Sequence, residues 1–371
     1  MSDIKKADRE RDRRFMREAL ELAQRGRGLT APNPYVGALV VKNGRVVGRG
    51  FHKRAGGPHA EIAALRDAGA AARGSTMYVT LEPCCHVGRT GPCADRIIEA
   101  GVREVRFGLI DPNPLVNGGG ARRLRRAGLA VTGGILRGEC ATLNEIYLNR
   151  FRRQRPFVIL KTAQTLDGRI ATASGHSQWI SSPDTLKLAH RLRAEVDAVV
   201  VGAATAEADD PQLTVRRVKG ANPYRIVLST RGDVRPNLRL FTDNRDSKTI
   251  LVTAARSLPE KLERAPGLII WTVRKHGRRI DLEDFLKTAY AFGINSLLVE
   301  GGGRLATNLL AQGLVDKHIV ALAPLTLGAG IDAVGALGSL KIDDAIHYDR
   351  VRFEQMGPDM VFSGYPRERA A

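Results

Sequence analysis

The feature that most constrains the fold is a regular alternation between short apolar runs and segments with helical periodicity. Five apolar runs near the start have the length and composition of strands: 36–41, 45–51, 76–81, 104–110 and 129–132. Five neighbouring segments carry apolar residues at helical spacing: 15–24, 59–68, 93–100, 120–127 and 139–151. Asn43-Gly44, between the first two runs, favours a two-residue hairpin because both positions need a positive φ. The pattern predicts an α/β domain whose helices cover both faces of a central sheet.

A segment rich in arginine, 152–156, separates this pattern from a second one. Four of its five residues are arginine or proline, and a new apolar strand starts directly after it. Beyond it, the predicted strands are 157–161, 197–202, 225–229, 249–253, 268–271 and 296–300, and the predicted helices are 282–291 and 303–311. We therefore predict two α/β domains, at 12–151 and 156–371.

Charge and hydropathy limit the classes of partner. The 371 residues include 58 Lys+Arg and 39 Asp+Glu, a formal net charge of +19. A basic surface attracts phosphate, but few aromatic residues lie among the basic runs, so we expect small phosphorylated substrates and no nucleic acid. No apolar run reaches the roughly 18 to 20 residues of a membrane helix, and the charged N-terminus lacks the apolar stretch of a secretory signal. These patterns predict a cytoplasmic protein without a membrane partner.

The motif with the most specific chemistry combines one histidine, one glutamate and two cysteines. The first two open a predicted helix, the first cysteine follows a strand, and the second opens another helix: His59, Glu61, Cys84 and Cys93. A zinc-dependent nucleobase deaminase needs an imidazole and two thiolates on the metal, and a carboxylate that moves protons without being a ligand. We therefore predict His59, Cys84 and Cys93 as zinc ligands, with Glu61 as general acid and base.

Two alternatives stay open at this site. Eight residues separate Cys84 from Cys93, where the general deaminase signature has two, and the adjacent Cys85 is a second candidate thiol ligand. A structural zinc site in a nucleic-acid-binding module would need a fourth protein ligand, from Cys85, His86 or His52. The number of protein ligands therefore distinguishes a catalytic metal site from a structural one.

Three longer segments carry a resemblance to a known family. They are LEPCCHVGRTGPC at 81–93, APNPYVG at 31–37 and DPNPLV at 111–116. With these segments the chain resembles the bifunctional deaminase-reductase family of riboflavin biosynthesis. The resemblance implies a cytidine-deaminase-like α/β/α sandwich followed by a dihydrofolate-reductase-like α/β domain. The sequence departs from the family pattern at four positions: Ala63, Cys85, Gly91 and Gly119.

Loop residues of the first domain are further site candidates. The resemblance implies a substrate contact from Asn33, which two flanking prolines hold in a stiff loop. For His86 and Arg89, contact with the substrate and plain loop solvation are both open. Asp111 either belongs to the site or caps a turn.

Three segments of the second domain match the reductase half of the family: KTAQTLDGRIA at 161–171, SQWIS at 177–181 and VGAATAEADDPQLTVR at 201–216. The glycine turn 301–303 joins a strand to a helix, a geometry that lets backbone amides approach a pyrophosphate. It lacks the spacing of a Rossmann fingerprint, so the pattern alone favours a tight structural turn over a nucleotide site.

The resemblance assigns roles in the second domain. It implies NADPH contacts from Ala163, Trp179, Thr205, Asp209, Thr230, Gly302, Gly303, Arg304, Leu305, Ala306, Thr307 and Asn308. It implies substrate contacts from Ser177, Arg193, Leu213, Arg216 and Glu300. The two arginines suit a phosphate because a guanidinium donates two parallel hydrogen bonds. Lys161 and Asp167 stay open as proton or orientation partners.

The resemblance also implies a two-step activity. One zinc ion per deaminase domain supports hydrolytic deamination of 2,5-diamino-6-(5-phosphoribosylamino)pyrimidin-4-one to 5-amino-6-(5-phosphoribosylamino)uracil. NADPH then reduces the ribosyl group to ribityl, in a homo-oligomeric enzyme. An alternative is a deaminase of tRNA or free nucleobases with an unrelated second domain, which does not account for the segment 204–216.

Overall fold

The computed structural model describes residues 2–86, 91–244 and 247–367, with side chains from residue 6 onward. The chain divides into two compact units, Met1–Arg152 and Arg153–Ala371, and the division falls inside the predicted linker 152–156. Across the described ranges, no helix combines the length and the apolar character needed to cross a membrane.

The first unit is built on one five-stranded sheet with the order β2-β1-β3-β4-β5. Its strands are β1 (Gly37–Lys42), β2 (Arg45–Phe51), β3 (Thr76–Leu81), β4 (Glu104–Leu109) and β5 (Ala130–Gly133). Its α-helices are α1 (Ser2–Gln24), α2 (Ala60–Ala68), α3 (Cys93–Glu99), α4 (Gly119–Arg126), α5 (Arg137–Leu143) and α6 (Glu145–Arg152). Strand β1 is antiparallel to both of its neighbours, whereas β3, β4 and β5 are parallel. The predicted hairpin is confirmed, since Asn43 and Gly44 have φ of 50° and 74° and join β1 to β2.

Helix α2 lies in direct backbone contact with β2. A Cβ atom built on Gly48 would lie 2.4 Å from the carbonyl oxygen of Ala64, and one on Gly50 would lie 2.2 Å from that of Ala60. Neither glycine has a positive φ, so the requirement for glycine here is purely steric. The two missing side chains set how closely the start of α2 approaches the sheet.

The second unit is built on a nine-stranded sheet with the order β11-β10-β9-β8-β14-β6-β15-β18-β17. Its strands are β6 (Phe157–Thr165), β7 (Arg169–Thr172), β8 (Ala198–Gly202), β9 (Tyr224–Leu228), β10 (Thr249–Thr253), β11 (Ile269–Thr272), β12 (Lys275–His276), β13 (Arg279–Ile280), β14 (Ser296–Val299), β15 (Lys317–Ala323), β16 (Gly330–Asp332), β17 (Tyr348–Met356) and β18 (Asp359–Pro366). Its α-helices are α7 (Pro183–Glu195), α8 (Ala203–Asp209), α9 (Arg239–Thr242), α10 (Glu260–Glu263), α11 (Leu282–Phe292) and α12 (Gly303–Ala311).

The seven strands from β11 to β15 are parallel, and β18 and β17 add an antiparallel edge. The inner strands are apolar on both faces, as the fully buried runs of β8 and β14 show. Because parallel strands end at one edge of a sheet, the residues that follow β8, β9 and β14 come together there.

Two predicted helices differ from the structure, and the sequence pattern does not predict the exposed strand β17. Helix α1 begins at Ser2 rather than at residue 15, because its first turns are charged and carry no apolar stripe for the sequence pattern to detect. The predicted helix 139–151 is two helices, α5 and α6, separated at Asn144. The Asn144 side chain accepts from the backbone amide of Tyr35 at 2.8 Å and donates to its carbonyl at 3.0 Å, which ties the break to a distant loop. Strand β17 is exposed along nearly its whole length, so its sequence lacks the apolar alternation that predicts a strand.

Candidate active sites

Three predicted metal ligands meet at one point of the first unit. His59 is the residue before α2, Cys84 follows the end of β3, and Cys93 is the first residue of α3. Their ligand atoms all lie within 4.8 Å of one another, and they are the one His/Cys/Asp/Glu group of this kind in the described part of the chain. His59 Nδ1 lies 3.2 Å from Cys93 Sγ and 3.7 Å from Cys84 Sγ.

The surroundings of this cluster favour three protein ligands. Cys85 Sγ points to the carbonyl oxygen of Leu115, 3.6 Å away. Both ring nitrogens of His52 are engaged, since Nδ1 donates to the Pro58 carbonyl at 3.0 Å and Nε2 accepts from the side chain of Asn33 at 3.1 Å. Neither side chain belongs to the metal-binding cluster. A site with one imidazole, two thiols and an open position suits a zinc ion that also binds water.

The thiols of the cluster are chemically distinct. A hydrogen bond from Cys93, aided by His59, lowers the pKa of Cys84 to about 4. The same contact with Cys84 raises the pKa of Cys93, so Cys84 is the thiol of the pair that ionises more readily. A thiolate is the form of cysteine that binds a metal.

Glu61 lies in the first turn of α2, two residues after His59, and is 4% exposed. Burial, with a further contribution from Cys84, raises the pKa of its carboxyl to about 7. A carboxyl group with this pKa both accepts and donates a proton near neutral pH. The structure therefore brings the predicted proton carrier to the predicted metal ligands.

His52 orients Asn33, a relationship that no sequence pattern indicated. A carbonyl can only accept, so the bond to Pro58 places the imidazole proton on Nδ1 and leaves Nε2 as an acceptor. The Asn33 amide nitrogen must then face His52, which directs its Oδ1 away from that ring. The His52 and His59 rings lie 5.6 Å apart at their centroids, so Asn33 is held close to the cluster.

Two buried acidic residues next to the site are structural. Glu82 accepts backbone hydrogen bonds from Gly118 and Ala121, both at 2.9 Å, at the start of α4. Asp111 accepts from the amide of Asn113 at 2.9 Å and from the hydroxyl of Tyr147 at 2.8 Å. The turn-cap alternative for Asp111 thus describes its contacts. Arg89 lies outside the described residues.

The second unit contains a cavity of about 1000 Å³ at the carboxyl edge of its sheet. Twelve of the predicted cofactor and substrate residues line it: Ala163, Ser177, Trp179, Thr205, Asp209, Thr230, Glu300, Gly302, Gly303, Arg304, Leu305 and Asn308. Residues from five separate stretches of sequence thereby reach one space.

The other predicted residues of this unit lie outside that lining. Ala306 is fully buried, and its amide donates to the Gly302 carbonyl. Thr307 Oγ1 donates to the carbonyl of Gly303 at 2.6 Å and accepts from the amide of Gly335 at 2.8 Å. Leu213 and Arg216 belong to one irregular stretch, in which Leu213 is buried and Arg216 is exposed. Arg193 reaches the cavity through Glu300.

The glycine turn before α12 requires its small residues. A Cβ on Gly303 would lie 2.0 Å from the carbonyl oxygen of Asp332. The amide of Gly302 donates to Thr205 Oγ1 at 3.0 Å. The amides of Gly303 and Arg304 belong to the first turn of the helix, where they have no partner within the helix, and they are placed to meet an anion.

A charged cluster closes one side of the cavity. Arg193 donates to both carboxylate oxygens of Glu300, from Nε and Nη2, at 2.7 Å each. Burial alone would raise the pKa of Glu300, but Arg193 and Lys161 hold it below its ordinary value. Burial lowers the pKa of Lys161, and Glu300 partly offsets this effect. Asp167 lies elsewhere, since its carboxylate accepts from the amides of Leu327 and Gly328.

Comparison with protein-family models gives two matches that divide the chain as the structure does. Residues 9–109 match the cytidine and deoxycytidylate deaminase zinc-binding region. Residues 156–362 match the RibD C-terminal domain. The predicted fold class, a deaminase-like domain followed by a dihydrofolate-reductase-like domain, is confirmed by these matches together with the similarity to solved RibD structures.

Individual proteins match over nearly the whole chain. The riboflavin biosynthesis protein RibD of Aquifex aeolicus is 42% identical over 95% of this chain and 98% of its own length, and that of Escherichia coli is 41% identical over 94% and 98%. The structure of Acinetobacter baumannii RibD, 35% identical, superposes with a TM-score of 0.86 over 97% of this chain and all of that chain. A Thermotoga maritima deaminase/reductase gives the same TM-score, identity and coverage. This chain therefore belongs to the RibD family of riboflavin biosynthesis proteins, and it is a bifunctional enzyme with a deaminase half and a reductase half.

Proposed function

We propose that the first unit deaminates 2,5-diamino-6-(5-phosphoribosylamino)pyrimidin-4-one and that the second reduces the resulting 5-amino-6-(5-phosphoribosylamino)uracil to its ribityl form with NADPH. The observation that carries this proposal is the junction of His59, Cys84 and Cys93 beside the buried carboxyl of Glu61. That arrangement is the minimum a hydrolytic zinc deaminase requires.

In the first step His59, Cys84 and Cys93 would hold one zinc ion per chain. The bound ion supplies a Lewis acid that lowers the pKa of water. Glu61 accepts a proton from the attacking water and delivers it to the departing ammonia, a two-way transfer suited to a carboxyl with a pKa of about 7. Asn33 Oδ1, turned away from His52, accepts a hydrogen bond from the pyrimidine.

His86 adds a polar group to this first step. Its Nδ1 is buried and, among the described residues, meets no hydrogen-bond partner. A buried polar atom in this state is costly unless a ligand or water satisfies it. We assign it to contact with the substrate, in preference to loop solvation.

In the second step the reduced nicotinamide supplies hydride to C1′ of the ribosyl group. The bond from C1′ to the ring oxygen breaks, and that oxygen takes up a proton. Lys161 is our candidate to donate this proton, because it lines the cavity, as Glu300 does, and burial lowers the pKa of its amine. Ser177, Glu300, Leu213, Arg193 and Arg216 bind the substrate; Arg216 faces its phosphate, and Arg193 acts through Glu300.

Three arginines support NADPH as the cofactor. Arg231, Arg279 and Arg304 line the cavity, and a guanidinium recognises the additional phosphate of NADPH through parallel hydrogen bonds. Arg231 follows β9 directly after Thr230, one of the predicted cofactor contacts. We expect Arg231→Ala to lower the preference for NADPH over NADH by about tenfold, measured as the ratio of kcat/KM values; an unchanged ratio would remove Arg231 from this role.

We propose a homo-oligomer and a cytoplasmic location. Apolar side chains are exposed on the edge strand β17, at Val351 and Phe353, and on its neighbour β18, at Met360; Phe353 is 65% exposed. An exposed apolar edge of a sheet is a template for pairing, and a second copy of this chain is the partner we assign to it. Phe353→Lys should then yield monomers in sedimentation. Thiolates that bind zinc must stay reduced, and the cytoplasm is a reducing compartment.

One coupled assay tests the two-step proposal. Ammonia release and NADPH absorbance are followed together on the diaminopyrimidinone ribosyl phosphate, before and after removal of zinc by a chelator. Ammonia released first, NADPH consumed after it, and both stopped by chelation are the expected results. Ammonia without NADPH oxidation would contradict the assignment of the second unit, and no reaction at all would contradict the substrate.

A further inference from the structure

The stretch 212–216 of the second unit has no helix or strand of its own and is held by side chains from other elements. Four of its backbone groups are bound in this way: the Gln212 carbonyl by Arg225 at 3.4 Å, the Thr214 carbonyl by Arg193 at 3.2 Å, the Val215 amide by Asn222 at 2.7 Å and the Arg216 amide by His190 at 3.0 Å. The path of this stretch therefore depends on side chains rather than on a sheet ladder.

His190 holds the residue at the end of this stretch. It lies on α7 and is 5% exposed. A backbone amide can only donate, so Nδ1 of His190 must accept, and the imidazole is neutral with its proton on Nε2. Burial, followed by repulsion from Arg193 and Arg216, lowers the pKa of His190 to about 4, which keeps the ring in this neutral form.

Arg216 sits in surroundings that favour an anion. Arg216 is exposed at the surface, and partial desolvation, followed by repulsion from Arg193, Arg239 and Arg217, lowers its pKa. Arg193 is neutralised by Glu300 and Arg239 by Asp210. Arg216 instead donates from Nη1 to the hydroxyl of Thr214 at 2.6 Å, a neutral partner that orients the guanidinium without cancelling its charge.

We propose that His190 is a positioning residue for the phosphate end of the reductase substrate. By fixing the Arg216 amide it sets the backbone from which the Arg216 guanidinium extends, so that this group meets the phosphate without having to be ordered on binding. The inference rests on the proposed function, in which Arg216 binds the substrate phosphate.

A pair of substitutions isolates the hydrogen bond from the volume of the side chain. His190→Leu keeps an apolar body of similar size and removes the acceptor. His190→Asn places an amide oxygen at the position of Nδ1 and keeps the acceptor. The two variants therefore differ chiefly in whether the Arg216 amide has a partner.

The measurement is steady-state reduction of 5-amino-6-(5-phosphoribosylamino)uracil and of the same compound without its phosphate. For His190→Leu we expect KM for the phosphorylated substrate to rise about tenfold, with kcat within about twofold and KM for NADPH unchanged. His190→Asn should stay within about threefold of the parent enzyme. With the dephosphorylated substrate, all three enzymes should behave alike. Inorganic phosphate, used as an inhibitor, should bind His190→Leu about tenfold more weakly.

Each contrary result has a separate meaning. An unchanged KM in His190→Leu overturns the inference, and so does an equal loss with both substrates, because it marks a general structural role. Arg216→Ala is measured in parallel: if it leaves KM for the phosphorylated substrate unchanged, the proposed role of Arg216 fails instead. Should His190→Leu not fold, His190→Ala is compared with His190→Asn by the same criteria, with deamination by the first unit reporting that the rest of the chain is intact.

Discussion

Arg193 and Glu300, 107 residues apart in sequence, form a two-point ion pair in which each carboxylate oxygen accepts a 2.7 Å hydrogen bond. The side chains are 12% and 14% exposed. A pair of this geometry fixes the orientation of both groups, and removing one partner leaves a poorly solvated charge. The pair thus holds Glu300 at the wall of the reductase cavity.

Arg193→Lys should damage the reductase selectively. Lysine retains the charge but cannot donate two parallel hydrogen bonds from a planar group. We therefore expect the reductase kcat/KM to fall about 100-fold or more, and the second unit to lose about 2 kcal/mol of stability through the loss of one hydrogen bond to a charged group. Deamination is the internal reference and should stay within about twofold. Arg239→Lys is the matched control, since its pair with Asp210 is half-exposed and contributes little; equal losses in the two variants would contradict this account.

Glu61→Gln should abolish deamination while preserving the metal. The amide keeps the size of the side chain but cannot carry the proton, so the rate of ammonia release should fall about 10² to 10⁴-fold. Zinc content, measured by elemental analysis, should not change, because Glu61 does not belong to the group of metal ligands formed by His59, Cys84 and Cys93. Reduction of the deaminated intermediate should continue at the parent rate. Loss of zinc together with activity would place Glu61 in the metal shell instead.

Substitutions at the adjacent Cys84 and Cys85 should have different effects on zinc binding. Cys84 Sγ lies next to His59 and accepts a hydrogen bond from the Cys93 amide at 3.3 Å, whereas Cys85 Sγ faces the Leu115 carbonyl. Cys84→Ser should therefore lose zinc and deamination, while Cys85→Ser should keep about one zinc per chain. Retention of zinc in Cys84→Ser, with loss in Cys85→Ser, would reverse the ligand assignment.

Stability of the second unit should fall as pH is lowered from about 6.5 to about 4. Burial lowers the pKa of His318 to about 4. In this interval the unfolded chain takes up the proton first, so folding loses up to about 3 kcal/mol as pH decreases, and no more below the folded-state pKa. His190, with a pKa lowered to about 4, adds to the same trend.

The fluorescence of the two tryptophans, Trp179 and Trp271, follows this unfolding selectively, because both lie in the second unit. His318→Leu should flatten the dependence of stability on pH. His347→Gln, at an exposed histidine near the same edge of the sheet, is the control and should leave the slope unchanged. A slope in His318→Leu as steep as in the parent would show that other groups cause the trend.

The sequence predicts those parts of the site whose residues can be recognised from their spacing within a short segment. His59, Glu61, Cys84 and Cys93 each stand at the start of a helix or just after a strand, so motif and element order place them together. The hairpin at Asn43-Gly44 follows from turn chemistry alone. In each case the physical cause lies within a few residues along the chain.

The remaining contacts depend on tertiary structure that has no sequence period. The hydrogen bonds between His52 and Asn33, between Arg193 and Glu300, and between the Arg216 backbone amide and His190 span 19, 107 and 26 positions. None of these residues lies in a motif that indicates its partner. The exposed strand β17 and the charged first turns of α1 lack the apolar stripe that pattern analysis needs.

The steric glycines of β2 bear on any attempt to make the enzyme more heat-resistant. Replacing glycine with alanine wherever φ permits is a common route to stabilisation, and by that criterion Gly48 and Gly50 would both be chosen. Here one added methyl group would push α2 off the sheet, and His59 and Glu61 would move with it. A safer choice is Gly138 in α5, where an added Cβ meets no atom within 4 Å and alanine favours the helix. The space around the Cβ position, rather than the backbone torsion, therefore decides which glycines can be replaced.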